Sequence, residues 1–280
     1  MNNNYLYTKE EIQSLAPFFK TKGGSFLFSF LEKITKLDKV NEAYHKSCEQ
    51  EGIDCVEELL KNFKVKYKVG GLPLDKLPDG PFVIISNHPY GGIDGLIILD
   101  VFGHRRPKIK VMVNKILGRA QRIGDNLITV TPTGENREEA STESIKGIKE
   151  CISQIRNGEV LSIFPSGAVS DLKPSEGWTI SDREWQLPAI RLIQKLNVPV
   201  VPVRFFDRNS NFYYLLGLLS WKIRLLRLPR EILNKKGKQI RVGIGEIIEP
   251  SELKKFDNLE SLRDFLRSKV YDMPLPEHFD

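Results

Sequence analysis

Residues 81–102 read PFVIISNHPYGGIDGLIILDVF and join an apolar strand pattern to an apolar helical pattern through a glycine-rich turn. The run Phe82 to Ile85 is short, apolar and rich in β-branched residues, which predicts a buried strand. In open α/β sheets, functional sites form beyond the carboxyl ends of the strands, and His88 lies at such an end. This stretch therefore predicts both the fold class and the place of a candidate site.

The same strand pattern recurs further along the chain and alternates with helical spacing. The predicted strands are Phe82 to Ser86, Ile109 to Val113, Leu127 to Val130, Val160 to Phe164, Val200 to Arg204 and Ile240 to Ile244. Between them, helix faces are predicted by Ile145, Ile148, Ile152 and Ile155, and by Ala189, Ile193 and Leu196. The alternation predicts an α/β domain whose central sheet is mainly parallel and flanked by helices.

The N-terminal part of the chain has a different pattern, with apolar residues at helical spacing in the first 64 positions. Glycines at 70 and 71 and prolines from position 73 then interrupt it. We therefore predict a helical N-terminal region over residues 1–70 and an α/β domain over residues 71–280.

Composition narrows the class of protein. The chain has 280 residues, 40% of them hydrophobic and 28% charged, and a net charge of +6, which favours anionic partners. Its basic residues are dispersed, which argues against nucleic-acid binding. The three cysteines, Cys48, Cys55 and Cys151, have no metal-ligand spacing. With no signal-peptide pattern and no apolar run of 18 residues, we expect a cytoplasmic protein without a metal site.

His88 and Asp94 are the first candidate site residues. A glycine pair, Gly91 and Gly92, lies between them and permits a tight turn and close approach by a substrate. Such a turn can place the carboxylate against one imidazole nitrogen and leave the other as a general base. The alternative is structural, because His88 could cap the following helix with Asp94 in its first turn.

A second strand, Val160 to Phe164, runs into a Pro165-Ser166-Gly167 turn. In a parallel sheet this turn lies at the same edge as His88, so the two turns could face one cleft. A serine next to such a strand also permits a serine hydrolase with Ser166 as nucleophile, although the full Gly-x-Ser-x-Gly pattern is absent. A lipid-binding module without catalysis is a further alternative if His88 is only a cap.

Taken in order, the motifs resemble the glycerolipid, or lysophospholipid, acyltransferase superfamily over residues 80–250. The motifs are Asn87-His88 with Asp94, then Phe164-Pro165-Ser166-Gly167, then the strand Val198 to Val203. The resemblance implies that His88 takes a proton from an acceptor hydroxyl and that Asp94 orients His88. The hydroxyl then attacks an acyl thioester. The resemblance also implies substrate-binding roles for Asn87, Gly91, Gly92, Phe164, Pro165, Ser166 and Gly167. Backbone N–H groups of the turn at 165–168 are candidate oxyanion donors, and no cofactor or metal is implied.

Two departures from the common family pattern narrow the range of acceptor substrates to be expected. Five residues separate His88 from Asp94 where the family usually has four, and Ser166, Ala168 and Val169 replace the usual Glu, Thr and Arg. That Arg is thought to hold an acceptor phosphate, so its absence points away from lysophosphatidic acid. The variant motifs resemble the hemolysin-like subgroup, which includes O-acyltransferases of ornithine- and glycine-containing lipids. This implies an acceptor without phosphate, and acyl carrier protein or coenzyme A as the carrier of the acyl group.

Residues 212–230 read FYYLLGLLSWKIRLLRLPR and combine aromatic and leucine residues with four basic ones, Lys222, Arg224, Arg227 and Arg230. The stretch predicts either docking on an anionic membrane or a core helix. Phe26 to Phe30 is the alternative docking segment. We expect a peripheral protein on the inner face of the cytoplasmic membrane.

Overall fold

The computed structural model describes residues 36–47, 49–114, 120–130 and 142–279. Its helices are α1 (Leu37–Ser47), α2 (Gly52–Asn62), α3 (Gly92–Gly103), α4 (Thr142–Arg156), α5 (Leu187–Leu196), α6 (Asn211–Leu219), α7 (Trp221–Leu233), α8 (Pro250–Leu253) and α9 (Leu259–Tyr271). Its strands are β1 (Lys66–Gly71), β2 (Val83–Ser86), β3 (Lys110–Asn114), β4 (Leu127–Val130), β5 (Leu161–Ile163), β6 (Asp171–Lys173), β7 (Thr179–Ser181), β8 (Val200–Phe205) and β9 (Gln239–Ile244).

The described strands form one large sheet and one small hairpin. The order in the large sheet is β1-β9-β8-β2-β5-β3-β4, and every pair is parallel except β8 with β9. Strands β6 and β7 form a separate antiparallel hairpin directly after the Pro165-Ser166-Gly167 turn. The expected α/β fold with a mainly parallel sheet flanked by helices is therefore confirmed.

Alternation along β2 shows why this sheet is buried on both faces. Ile84 belongs to a core cluster that α1, α2 and α3 share with the sheet, whereas Val83 and Ile85 belong to a second cluster that includes α4, α5 and α9. A strand with apolar side chains on both faces must be covered on both sides, and β2 is the centre of such a sandwich. His88 follows the carboxyl end of β2 and therefore lies at the edge of the sheet, between the two helical layers that cover its faces.

The N-terminal helices belong to the same core as the sheet. Val40 and Tyr44 of α1 and Val56 and Leu59 of α2 are buried in the cluster that covers one face of the sheet. Strand β1 (Lys66–Gly71), which the helical spacing did not predict, pairs with β9 and crosses the expected boundary between residues 70 and 71. Residues 1–35 lie outside the described residues, and the division at residue 70 stays a prediction.

The two cysteines that the structure describes, Cys55 and Cys151, are both buried, and Cys48 lies outside the described residues. Among the helices of the described residues, none combines the length and the apolar character that crossing a bilayer requires.

Candidate active site

The turn after β2 is held in place by Asn87. Its side-chain Nδ2 donates to the carbonyl oxygen of Phe205 at 2.9 Å, and its Oδ1 accepts from the Phe205 N–H at 2.8 Å. The amide thus pairs with the end of β8 as a neighbouring strand would, and Asn87 is 6% exposed. Both ends of the amide are thus bonded to β8, so the residue supports the turn. A substrate contact of Asn87 stays a prediction.

His88 and Asp94 are brought together as the glycine-rich spacing indicated. His88 Nδ1 lies 2.9 Å from Asp94 Oδ2, and the same oxygen accepts the N–H groups of Tyr90 at 2.9 Å and Gly91 at 3.0 Å. Asp94 is completely buried, whereas the His88 side chain is 17% exposed. The carboxylate faces Nδ1, which leaves Nε2 as the ring nitrogen available to a substrate.

Burial and hydrogen bonding act in opposite directions on Asp94. Burial raises its pKa, and the contacts with His88, Tyr90 and Gly91 lower it, with burial the larger effect. Asp94 also lies in the first turn of α3, where it bonds the N–H of Gly91. The N-cap of α3 is Gly91, so His88 does not cap the helix as the structural alternative supposed. Asp94 lies in the first turn, as that alternative expected, and also contacts His88.

Gly91 is needed at its position for two reasons. Its φ is +83°, which L side chains rarely adopt, and an added Cβ would lie 3.3 Å from both Leu228 and Val169. The glycine therefore permits both the tight turn and the close approach of α7. No comparable contact exists at Gly92, where a Cβ would meet no described atom within 4 Å.

A cavity of about 250 Å³ opens beside His88. Of the residues expected to bind substrate, it is lined by Gly91, Gly92, Phe164, Pro165 and Gly167. The Phe164 ring packs on the imidazole with its centroid at 4.2 Å. The other walls are largely apolar and include Leu59, Phe63, Ile93, Leu96, Leu99, Val111, Met112, Val113, Leu228 and Ile232. An apolar cavity that ends at a titratable side chain is suited to a ligand with an alkyl chain and a polar reacting end.

Ser166 does not line this cavity, although the expected site included it. Its side chain is buried, and its Oγ donates to the carbonyl oxygen of Ala168 at 2.8 Å. The N–H of Gly167, an expected oxyanion donor, is bonded to the carbonyl oxygen of Phe164 at 3.0 Å. The Ser166 hydroxyl thus stabilises its own turn. Neither Ser166 nor Ala168 lines the cavity, and a role of their N–H groups as oxyanion donors stays a prediction.

We expect Ser166→Ala to keep the wild-type reaction rate and to lower the free energy of unfolding by about 1 kcal/mol, the usual net contribution of one hydrogen bond. The reason is that the hydroxyl bonds to Ala168 instead of facing the cavity. Steady-state rates and urea denaturation measure the two effects. Complete loss of activity, together with an acyl adduct on Ser166 in the wild-type protein, would instead support a serine hydrolase.

Asp182 is a site residue that the sequence did not reveal. Its Oδ1 accepts the backbone N–H of His88 at 3.0 Å and the Ser170 hydroxyl at 2.6 Å, and its Oδ2 accepts the Trp185 indole N–H at 3.1 Å. Its own N–H donates to the Tyr271 hydroxyl of α9 at 2.7 Å. This fully buried carboxylate therefore joins the His88 turn to the chain that follows the Pro-Ser-Gly turn.

The backbone of His88 is held on both sides. The Ser170 N–H donates to the His88 carbonyl oxygen at 2.9 Å, while Asp182 accepts the His88 N–H. Both polar backbone groups of His88 are thus fixed by one short segment, residues 170–182. Such fixed backbone geometry is what a preorganised catalytic group requires.

Comparison with known proteins agrees with the motifs. A family model described as acyltransferase matches residues 10–275. A protein of Bacteroides thetaiotaomicron named lyso-glycine lipid O-acyltransferase is 26% identical over 256 residues, covering 89% of this chain and 90% of that protein. A protein of the same name from Phocaeicola vulgatus is 26% identical over 269 residues, covering 91% and 92%.

Among solved structures, the chain is similar to the crystal structure of 1-acyl-sn-glycerophosphate (LPA) acyltransferase from Thermotoga maritima. The TM-score is 0.47 and the identity 19%, with 88% of this chain and 86% of that chain covered. The family model leaves only the first nine and last five residues unmatched. The chain is an enzyme that belongs to the acyltransferase family, as its ordered motifs indicated.

Proposed function

We propose that the enzyme moves a fatty acyl group from an acyl thioester to the hydroxyl of a lyso-aminolipid, with His88 as general base. The observation that carries this proposal is the 2.9 Å contact of His88 Nδ1 with the buried Asp94, at the end of an apolar cavity. The names of the two relatives support a lyso-aminolipid acceptor.

The proposed reaction has two proton transfers. His88 Nε2 takes the proton of the acceptor hydroxyl as its oxygen attacks the thioester carbonyl carbon, and Asp94 stabilises the imidazolium that forms. The tetrahedral oxyanion is stabilised by backbone N–H groups of the turn that contains Ser166 and Ala168. When the C–S bond breaks, the sulfur receives the proton from His88. An ester and a free thiol are the products, and the imidazole is neutral again.

The surroundings of Val169 support an acceptor without phosphate. Val169 occupies the position of the family's usual Arg, and both terminal nitrogens of the nearby Arg224 guanidinium are bonded to other groups. Arg224 pairs with Asp171 and donates to the carbonyl oxygens of Ser170 at 3.0 Å and Val169 at 3.4 Å. Its side chain is 5% exposed and does not line the cavity beside His88. The described residues of that cavity consequently offer no guanidinium to a phosphate.

For the acyl donor, we propose acyl carrier protein or coenzyme A. Both present the acyl group as a thioester on a flexible arm, which the scheme requires. A carrier protein is acidic, and the net charge of +6 favours association with such a partner.

A comparison of lipid extracts tests the proposed function in cells. Mass spectrometry of cells with and without the enzyme is expected to show a lyso-aminolipid that accumulates in its absence, and the corresponding O-acylated lipid only in its presence. Accumulation of a lysophospholipid with no change in aminolipids would assign a different acceptor.

We expect Asp94→Asn to lower kcat by roughly 10- to 150-fold, less than the loss of the base itself. The amide can still accept the N–H groups of Tyr90 and Gly91, but it no longer stabilises an imidazolium by charge. A hydrogen bond to a charged group contributes about 1.5–3 kcal/mol, which corresponds to that range.

Asp100→Asn is the matched control for Asp94→Asn. Asp100 lies on the same helix but accepts from the Tyr67 hydroxyl at 2.6 Å and contacts His104 at 3.4 Å. Steady-state kinetics on both variants decide the assignment. Wild-type rates in Asp94→Asn together with an inactive Asp100→Asn would show that the wrong carboxylate has been paired with His88.

We further propose that α6 and α7 dock the enzyme on the membrane. The structure divides the predicted stretch into two helices at Ser220, and their exposed side chains are mostly apolar. Phe212, Leu215, Leu218, Leu219, Trp221 and Leu225 are each between 43% and 77% exposed. Leu228 and Ile232 of α7 line the cavity beside His88, so α7 connects the apolar surface with the site.

The basic residues of this stretch contribute less to docking than the sequence suggested. Arg224 is buried in its contact with Asp171, and Arg227 contacts Glu231 at 3.3 Å. The expectation of four basic residues on the membrane-facing surface is therefore wrong for Arg224. The alternative segment, Phe26 to Phe30, lies outside the described residues.

The double variant Leu219→Gln, Trp221→Gln is expected to weaken binding to phosphatidylglycerol-containing vesicles by at least tenfold. Full burial of one such side chain contributes about 1.5–3 kcal/mol, so partial insertion of two supports this change. Leu275→Gln is the control, because Leu275 is 48% exposed but lies near the C-terminus. Vesicle sedimentation measures the affinity. Unchanged binding of the double variant would assign docking to another segment.

A further inference from the structure

A second cavity lies on the other side of the turn that carries His88 and shares no lining residue with the cavity beside His88. Its volume is about 610 Å³. Asn87, Pro89 and Tyr90 of the turn form one wall, and residues 204–208 together with 238–240 form the opposite side. We call it the anion cavity, for the reasons that follow.

A buried cation lies in the wall of the anion cavity. The Lys235 side chain is 4% exposed, and its Nζ donates to Asn209 Oδ1 at 2.6 Å and lies 3.6 Å from Glu231 Oε2. The same Nζ is 4.8 Å from the centre of the Tyr90 ring. An ammonium has three donors, so these two contacts leave one for a ligand. Burial lowers the Lys235 pKa to about 8, although the nearby Glu231 carboxylate acts in the opposite direction.

Two more cations, Arg208 and Lys238, line the cavity with exposed side chains. Within the part of the chain that the structure describes, no carboxylate lies within ion-pair distance of either one. Asp207 is the single carboxylate among the described lining residues, and it is bonded to Arg241 through both oxygens, at 2.6 and 3.0 Å.

Arg204, a further cation of the lining, donates through Nη1 to the carbonyl oxygens of Tyr271 and Met273, which hold the guanidinium but do not neutralise it. Lys235, Arg208 and Lys238 each have donors left for a ligand. Three cations around a polar concavity attract an oxyanion, because ionised donors bind phosphate and carboxylate oxygens most strongly.

We propose that the anion cavity binds an oxyanion of one of the two substrates, through Lys235, Arg208 and Lys238. The inference rests on the proposed function and extends it. Two substrate groups have this chemistry: the phosphate on the donor's pantetheine arm and the carboxylate of an aminolipid head group. A substrate anchored there lies against the backbone that presents His88, so its binding stabilises the turn in the reactive arrangement.

The double variant Arg208→Gln, Lys238→Gln tests the proposal, with Lys236→Gln as its control. All three side chains are exposed, but Lys236 does not line the cavity. We expect the double variant to raise KM for one substrate at least tenfold, because each charge-assisted hydrogen bond contributes about 1.5–3 kcal/mol. The control is expected to leave both KM values unchanged, and melting temperatures verify that the variants are folded.

Two small probes distinguish the possible sources of the anion. If calorimetry shows binding of pantetheine 4′-phosphate and the double variant raises KM for the donor, the ligand of the anion cavity is the phosphate of the donor's pantetheine arm. If N-acetylglycine binds and the double variant raises KM for the acceptor, the ligand is the carboxylate of the acceptor's head group. The proposal is overturned if neither probe binds the wild-type enzyme, or if Lys236→Gln changes KM as much as the double variant does. Because the calorimetry needs no turnover, it tests the cavity even if acyl transfer to a lyso-aminolipid is not observed.

Discussion

Replacement of His88 by alanine is expected to lower the rate of acyl transfer by roughly 10²- to 10⁴-fold, the range of a lost general base. The imidazole is positioned by Asp94 at Nδ1 and by the Phe164 ring on its face. Among the described residues that line the cavity, His88 is the only titratable one, so no other side chain there can act as the base. The backbone bonds to Asp182 and Ser170 do not involve the imidazole, and we therefore expect the variant to fold.

The His88→Ala measurement needs a histidine control, and His104→Ala supplies it. His104 is half-exposed and contacts Asp100 and Glu57, away from the cavity beside His88. Rates should be compared at equal concentrations of folded protein, judged by circular dichroism and melting temperature. A folded His88→Ala enzyme with the wild-type rate would remove His88 from the mechanism.

Replacement of Asp182 by alanine is expected to lower the free energy of unfolding by about 3 kcal/mol or more. The substitution leaves the His88 N–H, the Ser170 hydroxyl and the Trp185 N–H without their acceptor, and each buried unsatisfied group costs about 1–3 kcal/mol. Acyl transfer per folded molecule is also expected to fall, because His88 loses one of its two backbone anchors.

Asp182→Asn and Asp264→Ala serve as comparisons for this variant. The asparagine keeps an acceptor oxygen in the same place and should recover part of the stability and of the rate. Asp264 pairs with Arg263 at the surface, where removal of an ion pair changes stability by at most about 1 kcal/mol. Urea denaturation measures the free energies. An Asp182→Ala protein as stable and as active as the wild type would show that Asp182 does not position the turn.

Individual helices and strands could be predicted from the sequence because their apolar residues repeat with the period of a helix or of a strand. The strands at 127–130 and 240–244 are apolar, and the observed ones are Leu127–Val130 and Gln239–Ile244. Strand β1 was missed because its lysines and two glycines dilute the apolar alternation of Tyr67 and Val69. The hairpin of β6 and β7 has three residues in each strand, too few for a periodic signal.

In the candidate site too, some contacts could be predicted from the sequence and others could not. His88 and Asp94 share one turn, so their spacing was enough to indicate a contact. Asp182 is 94 residues from His88, and Phe205 is 118 residues from Asn87. Such pairings depend on how strands are ordered in the sheet, which hydropathy along the chain does not report. For the same reason, the sequence suggests that Arg224 is exposed at the surface, although its side chain is buried and pairs with Asp171.

One measurement tests the central claim most directly: the products formed by purified enzyme from an acyl thioester and a lyso-aminolipid. Mass spectrometry quantifies the O-acylated lipid while a thiol reagent quantifies the released thiol. The account predicts one thiol for each ester formed by the wild-type enzyme, and little of either product with His88→Ala. Thiol release accompanied by free fatty acid in place of the acylated lipid, or equal ester formation by His88→Ala, would contradict it.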